Sequence, residues 1–246
     1  MLATPPPVSP VDPPAGLAAR LPSLCAVCRS WGRRAVCANC RACFAPPVPR
    51  CSRCALQVPA GVAVCGSCLA HPPAFDAALA CFDYRPPWDR LITAFKFHGA
   101  LELTPFFAQT LAAEASRQSE PRPALILPAP LASRRLRERG YNQAWELARR
   151  VARIADVATD ATLLLRVRET AHQLDLPPAS RAGNVRGAFA VEPRRRAELA
   201  GLRIAVVDDV MTTGSTGAEM AAVLKQAGAA HVEIWALART PRPGDA

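Results

Sequence analysis

Residues 73–246 predict an α/β domain on a parallel sheet, preceded by a small cysteine module at 23–72 and a disordered proline-rich tail at 1–22. Three observations carry this expectation. From Phe75 to Leu237, apolar segments alternate between strand-like and helical spacing. Residues 202–217, LRIAVVDDVMTTGSTG, read as a buried strand, two carboxylates, a Thr/Gly/Ser loop and the start of a helix. Between Cys25 and Cys68, four CxxC pairs follow one another.

The chain has 246 residues, enough for one full-sized domain beside a smaller module. Its 50% hydrophobic and 20% charged residues exclude a wholly disordered chain, and the seven prolines of 1–22 mark that stretch as tail. The long uncharged stretch 54–75 is broken by Pro, Gly and Cys, so no membrane span or membrane insertion is expected. The start, MLATPPPVSPVDPP, lacks a basic segment followed by an apolar run, which makes a cytoplasmic address the expectation. Thirty basic against 20 acidic residues, a formal charge of +10, favour polyanionic partners. Lys96 and Lys225 are the sole lysines, so an arginine-rich style set by genomic base composition explains the excess as well.

Taken in order, DAALACFDY is the first strand. The segment WDRLITAFKFHGALELTPFFAQTLAAEA is helical with interruptions near Gly99 and Pro105. ALILPAPL is a short buried strand running into a loop. ERGYNQAWELARRVARIA is an amphipathic helix with Ala144, Leu147, Ala148, Val151 and Ile154 on one face. TLLLRV is a strand candidate, and residues 168–186 form a polar stretch with little periodicity. LRIAVVDD is the clearest buried strand, GAEMAAVLKQAGA the helix after it, and HVEIWALAR a final strand.

Each CxxC lets two thiolates reach one ion from a tight turn, and a second such turn completes a closed tetrahedral site. Cys25, Cys28, Cys37, Cys40, Cys51, Cys54, Cys65 and Cys68 therefore supply two structural Zn sites, with no histidine or carboxylate between them to open a catalytic position. Sequential and cross-braced pairings both remain open at this point, and an iron–sulfur cluster is the competing occupant. Cys43 and Cys81 are left over and read as packing residues. Arg29, Arg33, Arg34, Arg41, Arg50 and Arg53, with no acidic residue from Cys25 to Ala70, make the module a basic knob.

At the end of the 202–209 strand, the loop Thr212, Thr213, Gly214, Ser215 and Thr216 offers N–H groups and hydroxyls at a helix start, where a phosphate is favoured. Gly214 permits the positive φ such a wrap needs. Asp208 and Asp209 repel a phosphate but suit sugar hydroxyls or a bridging metal ion, so together the residues ask for a sugar phosphate. Neither GxxxxGK[ST] nor GxGxxG after a strand is present, which excludes the ordinary nucleotide motifs.

This segment resembles the signature of type I phosphoribosyltransferases, which bind phosphoribosyl pyrophosphate (PRPP). Further segments narrow the resemblance to the ComF family: FKFHG at 95–99, LPAPL at 127–131, RRLRERGYNQ at 134–143, then Arg166, Thr170, Gln173, Leu176, Arg181 and Asn184, and GAF at 187–189. That family joins a zinc-ribbon module to a type I phosphoribosyltransferase-like domain. The resemblance implies that Asp208 and Asp209 hold the ribose, acting as the catalytic pair, and that Thr212–Thr216 hold the 5-phosphate. It further implies a pyrophosphate loop at Pro128, Ala129, Pro130 and Leu131, a hood over 168–186, and Mg²⁺ as a cofactor. It also implies a role in competence, DNA uptake or DNA utilisation, with single-stranded DNA and DNA-uptake proteins as partners.

Arg134, Arg135, Arg137, Arg139, Arg168, Arg181 and Arg186 are the cations available to pyrophosphate or DNA. Asn142 is read as a helix cap, or with Tyr141 and Gln143 as an acceptor or DNA contact. His98 and His172 are read as structural or surface residues. Phosphoribosyltransferases for 6-oxopurines carry an acidic residue where Thr212 stands, which argues against hypoxanthine or guanine as acceptor. Two readings of the whole follow: a phosphoribosyltransferase, or a non-catalytic protein that binds single-stranded DNA or senses PRPP.

Overall fold

The structure is a computed structural model and describes residues 22–168 and 185–242. The tail up to residue 21, the expected hood residues Thr170, Gln173, Leu176, Arg181 and Asn184, and His172 lie outside the described residues. The chain forms two compact units, one ending at Phe44 and the other starting at Ala45. In the first, β1 (Ser23–Leu24) pairs antiparallel with β2 (Trp31–Gly32), and α1 (Ala38–Phe44) follows.

The second unit opens with a cysteine turn closed by the Arg50–Gln57 bridge and by α2 (Gly66–Ala70). Then come β3 (Ala77–Asp83), α3 (Trp88–Phe97), α4 (Thr104–Gln118), β4 (Leu125–Pro128), α5 (Ser133–Arg139) and α6 (Gln143–Ala155). β5 (Ala158–Thr159), β6 (Leu164–Arg166), β7 (Phe189–Val191), β8 (Arg203–Met211), α7 (Ser215–Gln226) and β9 (His231–Arg239) complete it. Five strands form one parallel sheet in the order β3-β9-β8-β4-β5, while β6 and β7 pair antiparallel beside it. This is the α/β class the alternating pattern predicts.

The strand order follows from burial. β8 and β9 are buried along most of their length, with unbroken apolar runs at 204–207 and 234–238, as central parallel strands covered on both faces must be. Ile204 and Val206 of β8 pack with Met220, Ala221 and Leu224 of α7 and with Ile234 of β9. Ala205 and Val207, fully buried, point by the strand's period to the opposite face, where α6 packs on β4 and β8 and α4 packs on β3 and β9. Gly217 lets α7 sit close, since a Cβ there would lie 3.0 Å from Ile234 Cγ1. From β4 the chain crosses to β5 on one side, and from β8 to β9 on the other. The adjacent ends of β4 and β8 are therefore a switch point of the sheet, the place where open α/β sheets form their ligand crevice.

Some local expectations change. The helical break falls at Gly99 (φ 66), while Pro105 sits in the first turn of α4, where a missing N–H costs nothing. The long amphipathic segment is two helices: α5 ends at Gly140 in the left-handed region, and α6 starts at its cap Asn142. Ile154, expected on the apolar face, is 52% exposed. TLLLRV contributes a strand to the side hairpin, not to the main sheet.

The second cysteine turn is built into the same unit as the sheet. Ala78 N donates to Ser52 O at 3.1 Å, and Arg50 Nη1 donates to Asp83 Oδ1 at 2.8 Å. Ala55 is fully buried in the core cluster that contains Phe75.

Candidate functional site

The cysteines gather as two sets, Cys25/Cys28/Cys37/Cys40 and Cys51/Cys54/Cys65/Cys68, with the four sulfurs of each set within 4.8 Å of one another. The pairing is thus sequential, not cross-braced. Four sulfurs at about 2.3 Å from a tetrahedral ion stand about 3.8 Å apart. Cys28 and Cys37 Sγ are 3.8 Å apart, and Cys54 and Cys65 Sγ 3.7 Å, so the geometry fits zinc in closed structural sites. Burial disfavours the thiolates, yet backbone N–H groups aimed at the sulfurs outweigh it and lower Cys25 to about 6 and Cys65 to about 7. Neither Cys43 nor Cys81 joins a set. Cys43 is exposed on α1, so packing does not account for it, and Cys81 is half-buried in β3.

At the switch point, β8 delivers Asp208 and Asp209 to opposite faces. Asp209 is 2% exposed and fully engaged. Lys96 Nζ donates to Oδ1 at 3.0 Å, Gln143 Nε2 to Oδ2 at 2.8 Å, and Val210 N to Oδ1 at 2.7 Å. Asp208 is half-buried, and its Oδ1 accepts Asp209 N at 2.8 Å. Burial, and then the charge of Asp209, push the Asp208 carboxyl up to about 7, with Lys96 and Arg166 pulling the other way.

The loop after β8 ends at Gly214, whose φ of 86° is the left-handed conformation expected of it, and α7 starts at Ser215 without a side-chain cap. Helix starts of this kind can cradle an anion, although here Ser215 N already donates to Thr213 Oγ1 at 3.3 Å. Thr213 Oγ1 and Ser215 Oγ share a hydrogen bond of 2.8 Å across the cradle. Behind it, Arg239 Nη1 donates to Met211 O at 3.0 Å and to Thr212 O, fixing the loop's entry.

Beside Asp208, Pro128 pairs with Val207 and Ala129 N donates to Val207 O at 2.8 Å, so the loop Pro128, Ala129, Pro130, Leu131 leaves the sheet next to the carboxylates. The GYNQ segment holds this corner together. Tyr141 OH donates to Phe95 O, Asn142 Nδ2 to Ala129 O at 3.1 Å, and Asn142 Oδ1 accepts Ala144 N at 3.0 Å as the cap of α6. Tyr141, Asn142 and Gln143 thus serve the site from within.

Among the arginines, Arg139 lies on the Phe97 ring at 4.5 Å and donates to Gln143 Oε1 at 2.8 Å, which brings it to the carboxylates. Arg166 stands over Phe189 at 5.4 Å. Arg168 Nη2 donates to Arg186 O at 2.5 Å. Arg134 is 72% exposed and paired with Glu138 along α5, and Arg135 is half-exposed, so these two sit on the solvent side. His98 is exposed. Sequence reasoning assigned no role to Lys96 or Arg239. The sequence signal for Lys96 was its place in FKFHG as one of two lysines in an arginine-rich chain; in the structure both lysines pair with an aspartate, Lys96 with Asp209 and Lys225 with Asp76.

No helix among the described residues is long and apolar enough to cross a membrane. No family model matches the chain. DNA utilization protein YhgH of Salmonella typhi is 36% identical over 230 residues, covering 89% of this chain and 98% of that protein. The protein of the same name from Escherichia coli (strain K12) is 33% identical over 227 residues, again covering 89% and 98%. Competence protein F of Haemophilus influenzae is 32% identical over 195 residues, covering 78% of this chain and 85% of that protein. Among solved structures, a purine phosphoribosyltransferase from Pyrococcus horikoshii matches with a TM-score of 0.36 and 20% identity, over 56% of this chain and 76% of that one. The glutamine PRPP amidotransferase of B. subtilis matches with a TM-score of 0.38 and 16% identity, over 58% of this chain and 30% of that one. With curated relatives aligned over 85–98% of their length, a parallel α/β sheet and two sets of four clustered cysteines, the chain belongs to the ComF family of zinc-ribbon, phosphoribosyltransferase-like proteins.

Proposed function

We propose that the chain binds PRPP with Mg²⁺ at the switch point and transfers its phosphoribosyl group. The observation that carries this reading is the meeting of three parts: the carboxylates of β8, the uncapped α7 cradle and the loop after β4. The 5-phosphate takes the N–H groups and hydroxyls of Thr212, Thr213, Gly214, Ser215 and Thr216. Asp208, the more open carboxylate, accepts from the ribose hydroxyls. Asp209 holds Lys96 and Gln143 beside it, so the pair act as one unit. Pyrophosphate lies along Pro128, Ala129, Pro130 and Leu131 with Arg139 at hand, and Arg168 and Arg181 belong to the hood.

Asp208 suits a hard cation, since among the described residues its Oδ2 has no hydrogen-bond donor. Bound there, Mg²⁺ supplies charge neutralisation of the leaving pyrophosphate. As the bond from the anomeric carbon to pyrophosphate breaks, positive charge develops on the sugar ring, and Asp208 and Asp209 stabilise it electrostatically. The acceptor attacks the anomeric carbon, and no protein nucleophile is required. Calorimetric titration with PRPP and Mg²⁺, followed by a pyrophosphate-release screen over free bases and single-stranded DNA, tests this. No heat with PRPP refutes the site; binding without release supports a sensor or scaffold instead.

A second reading, single-stranded DNA binding in competence or DNA utilisation, has its own observation. Trp31 is 76% exposed in a segment that carries Arg29, Arg33, Arg34 and Arg41 and no acidic residue. An aromatic face among cations is the arrangement that stacks bases and neutralises phosphates. Fluorescence titration with single-stranded oligonucleotides at several salt concentrations checks it: Trp31→Ala lowers affinity severalfold, whereas unchanged affinity removes Trp31 from the contact. Zinc in both cysteine sets and a cytoplasmic location belong to the same proposal.

A further inference from the structure

Arg239, the last residue of β9, is 5% exposed and has no carboxylate partner among the described residues. Its hydrogen bonds all go to backbone carbonyls. Nε donates to Cys54 O at 2.9 Å, while Nη1 donates to Met211 O and Thr240 O at 3.0 Å each and to Thr212 O. One side chain therefore grips the turn of the second cysteine set at one end and the entry of the phosphate loop at the other. A cavity of about 750 Å³ lies alongside, lined by Cys54, Cys68, His71, Thr213, Ser215 and Arg242 among others. The guanidinium is thus a hydrogen-bonded link between turn and loop, beside the packing of Ala55 in the cluster that holds Phe75 and Met211. The turn is also electrically matched to it. Four thiolates around a divalent ion leave an excess of negative charge, and Arg242 Nη2 already points at Cys65 Sγ from 3.5 Å.

We propose that Arg239 is a positioning residue through which metal in the Cys51/Cys54/Cys65/Cys68 set holds the phosphate loop in its binding shape. This rests on the PRPP reading above. With zinc bound, the Cys54 carbonyl would be held in place, and the four thiolates around the ion would supply the counter-charge to the buried guanidinium. The guanidinium then fixes the Met211 and Thr212 carbonyls, which orient the N–H groups that follow at 213–216. By linkage, PRPP bound in the loop must in turn stabilise zinc in that set.

The experiment uses the zinc-loaded full chain. PRPP affinity is measured by calorimetry with Mg²⁺, and zinc release to a colorimetric chelator is followed with and without PRPP. Wild type is expected to lose one of its two zinc ions about fivefold more slowly when PRPP is bound. Arg239→Met is expected to bind PRPP about tenfold more weakly and to lose that protection, while Arg239→Lys, which keeps the charge but not the fork, recovers part of the affinity and little of the protection. Wild type that binds PRPP while both zinc ions leave at unchanged rates overturns the inference alone, even if the variants fail to fold. So does a folded Arg239→Met with wild-type PRPP affinity. Wild type that gives no PRPP heat overturns the PRPP reading, and the inference falls with it.

Discussion

Replacing Lys96 with Met removes the cation from a carboxylate that is only 3% exposed at its side chain. In the intact protein Lys96 Nζ stands 3.0 Å from Oδ1 and 2.9 Å from Oδ2 of Asp209, so both oxygens lose a charged donor at once. Breaking one side of a buried ion pair costs about 3–5 kcal/mol. The Lys96 side chain is 27% exposed, so solvent already screens part of the interaction, and Gln143 keeps one bond to Oδ2. The expected cost is therefore about 2–3 kcal/mol. For a protein of this size that lowers the melting temperature by roughly 5–10 °C. Asp209→Asn costs less, because the lysine it strands can turn to water. The double variant, with no stranded charge, is more stable than the sum of the singles requires, by at least about 1 kcal/mol. Thermal and urea unfolding of the four proteins measure the cycle. A Lys96→Met protein that melts within about 1 °C of wild type, or a coupling below about 0.5 kcal/mol, refutes the idea that this pair organises the site.

Three further outcomes follow from the same structure. Metal analysis is expected to find close to two zinc ions per chain. Chelation should lower the melting temperature of the sheet as well as unfold the first cysteine set, because the second set shares a unit with the sheet; iron in place of zinc refutes the ligand reading. Gly214→Ala should weaken PRPP binding by about tenfold, since the strain of φ 86° costs about 1–2 kcal/mol while the added Cβ meets Phe75 Cζ at an ordinary 3.5 Å, and Gly214→Val should weaken it further, because a β-branched residue tolerates that φ less; full affinity in Gly214→Ala shows that the left-handed turn is dispensable. Asp76, although burial opposes its charge, is held below the usual carboxylate range by Lys225 and by Val232 N. Asp76→Asn should therefore destabilise the protein by a constant amount above pH about 4, and the difference from wild type should vanish as pH falls through the lowered native value. A difference that persists in acid shows that the contact is not electrostatic.

The sequence by itself determined the parts whose physics is local. The 3.6 and 2 periodicities located the strands β3, β4, β8 and β9 and the helix α7, because a buried segment must place its apolar side chains on the covered faces whatever it packs against. The CxxC spacing picked out all eight cysteines that gather in the two sets, since two thiols on one turn come together without help from the rest of the chain. The Gly214 turn and the Asn142 cap were equally legible, because each answers a backbone requirement within a few residues.

How these parts combine depends on contacts between distant segments of the chain. The grouping of CxxC pairs depends on where the turns lie in space, and the strand order that sets β4 beside β8 depends on crossovers that spacing does not encode. The partners of Asp209 come from α3 and α6, and Lys96 lies 113 residues away from it in the chain. Arg239 reaches across 185 residues to Cys54. In sequence Lys96 and Arg239 look like ordinary surface cations. Burial of Asp209 and of Arg239 itself made them structural, because a charge taken from water must find its partners wherever the fold has placed them.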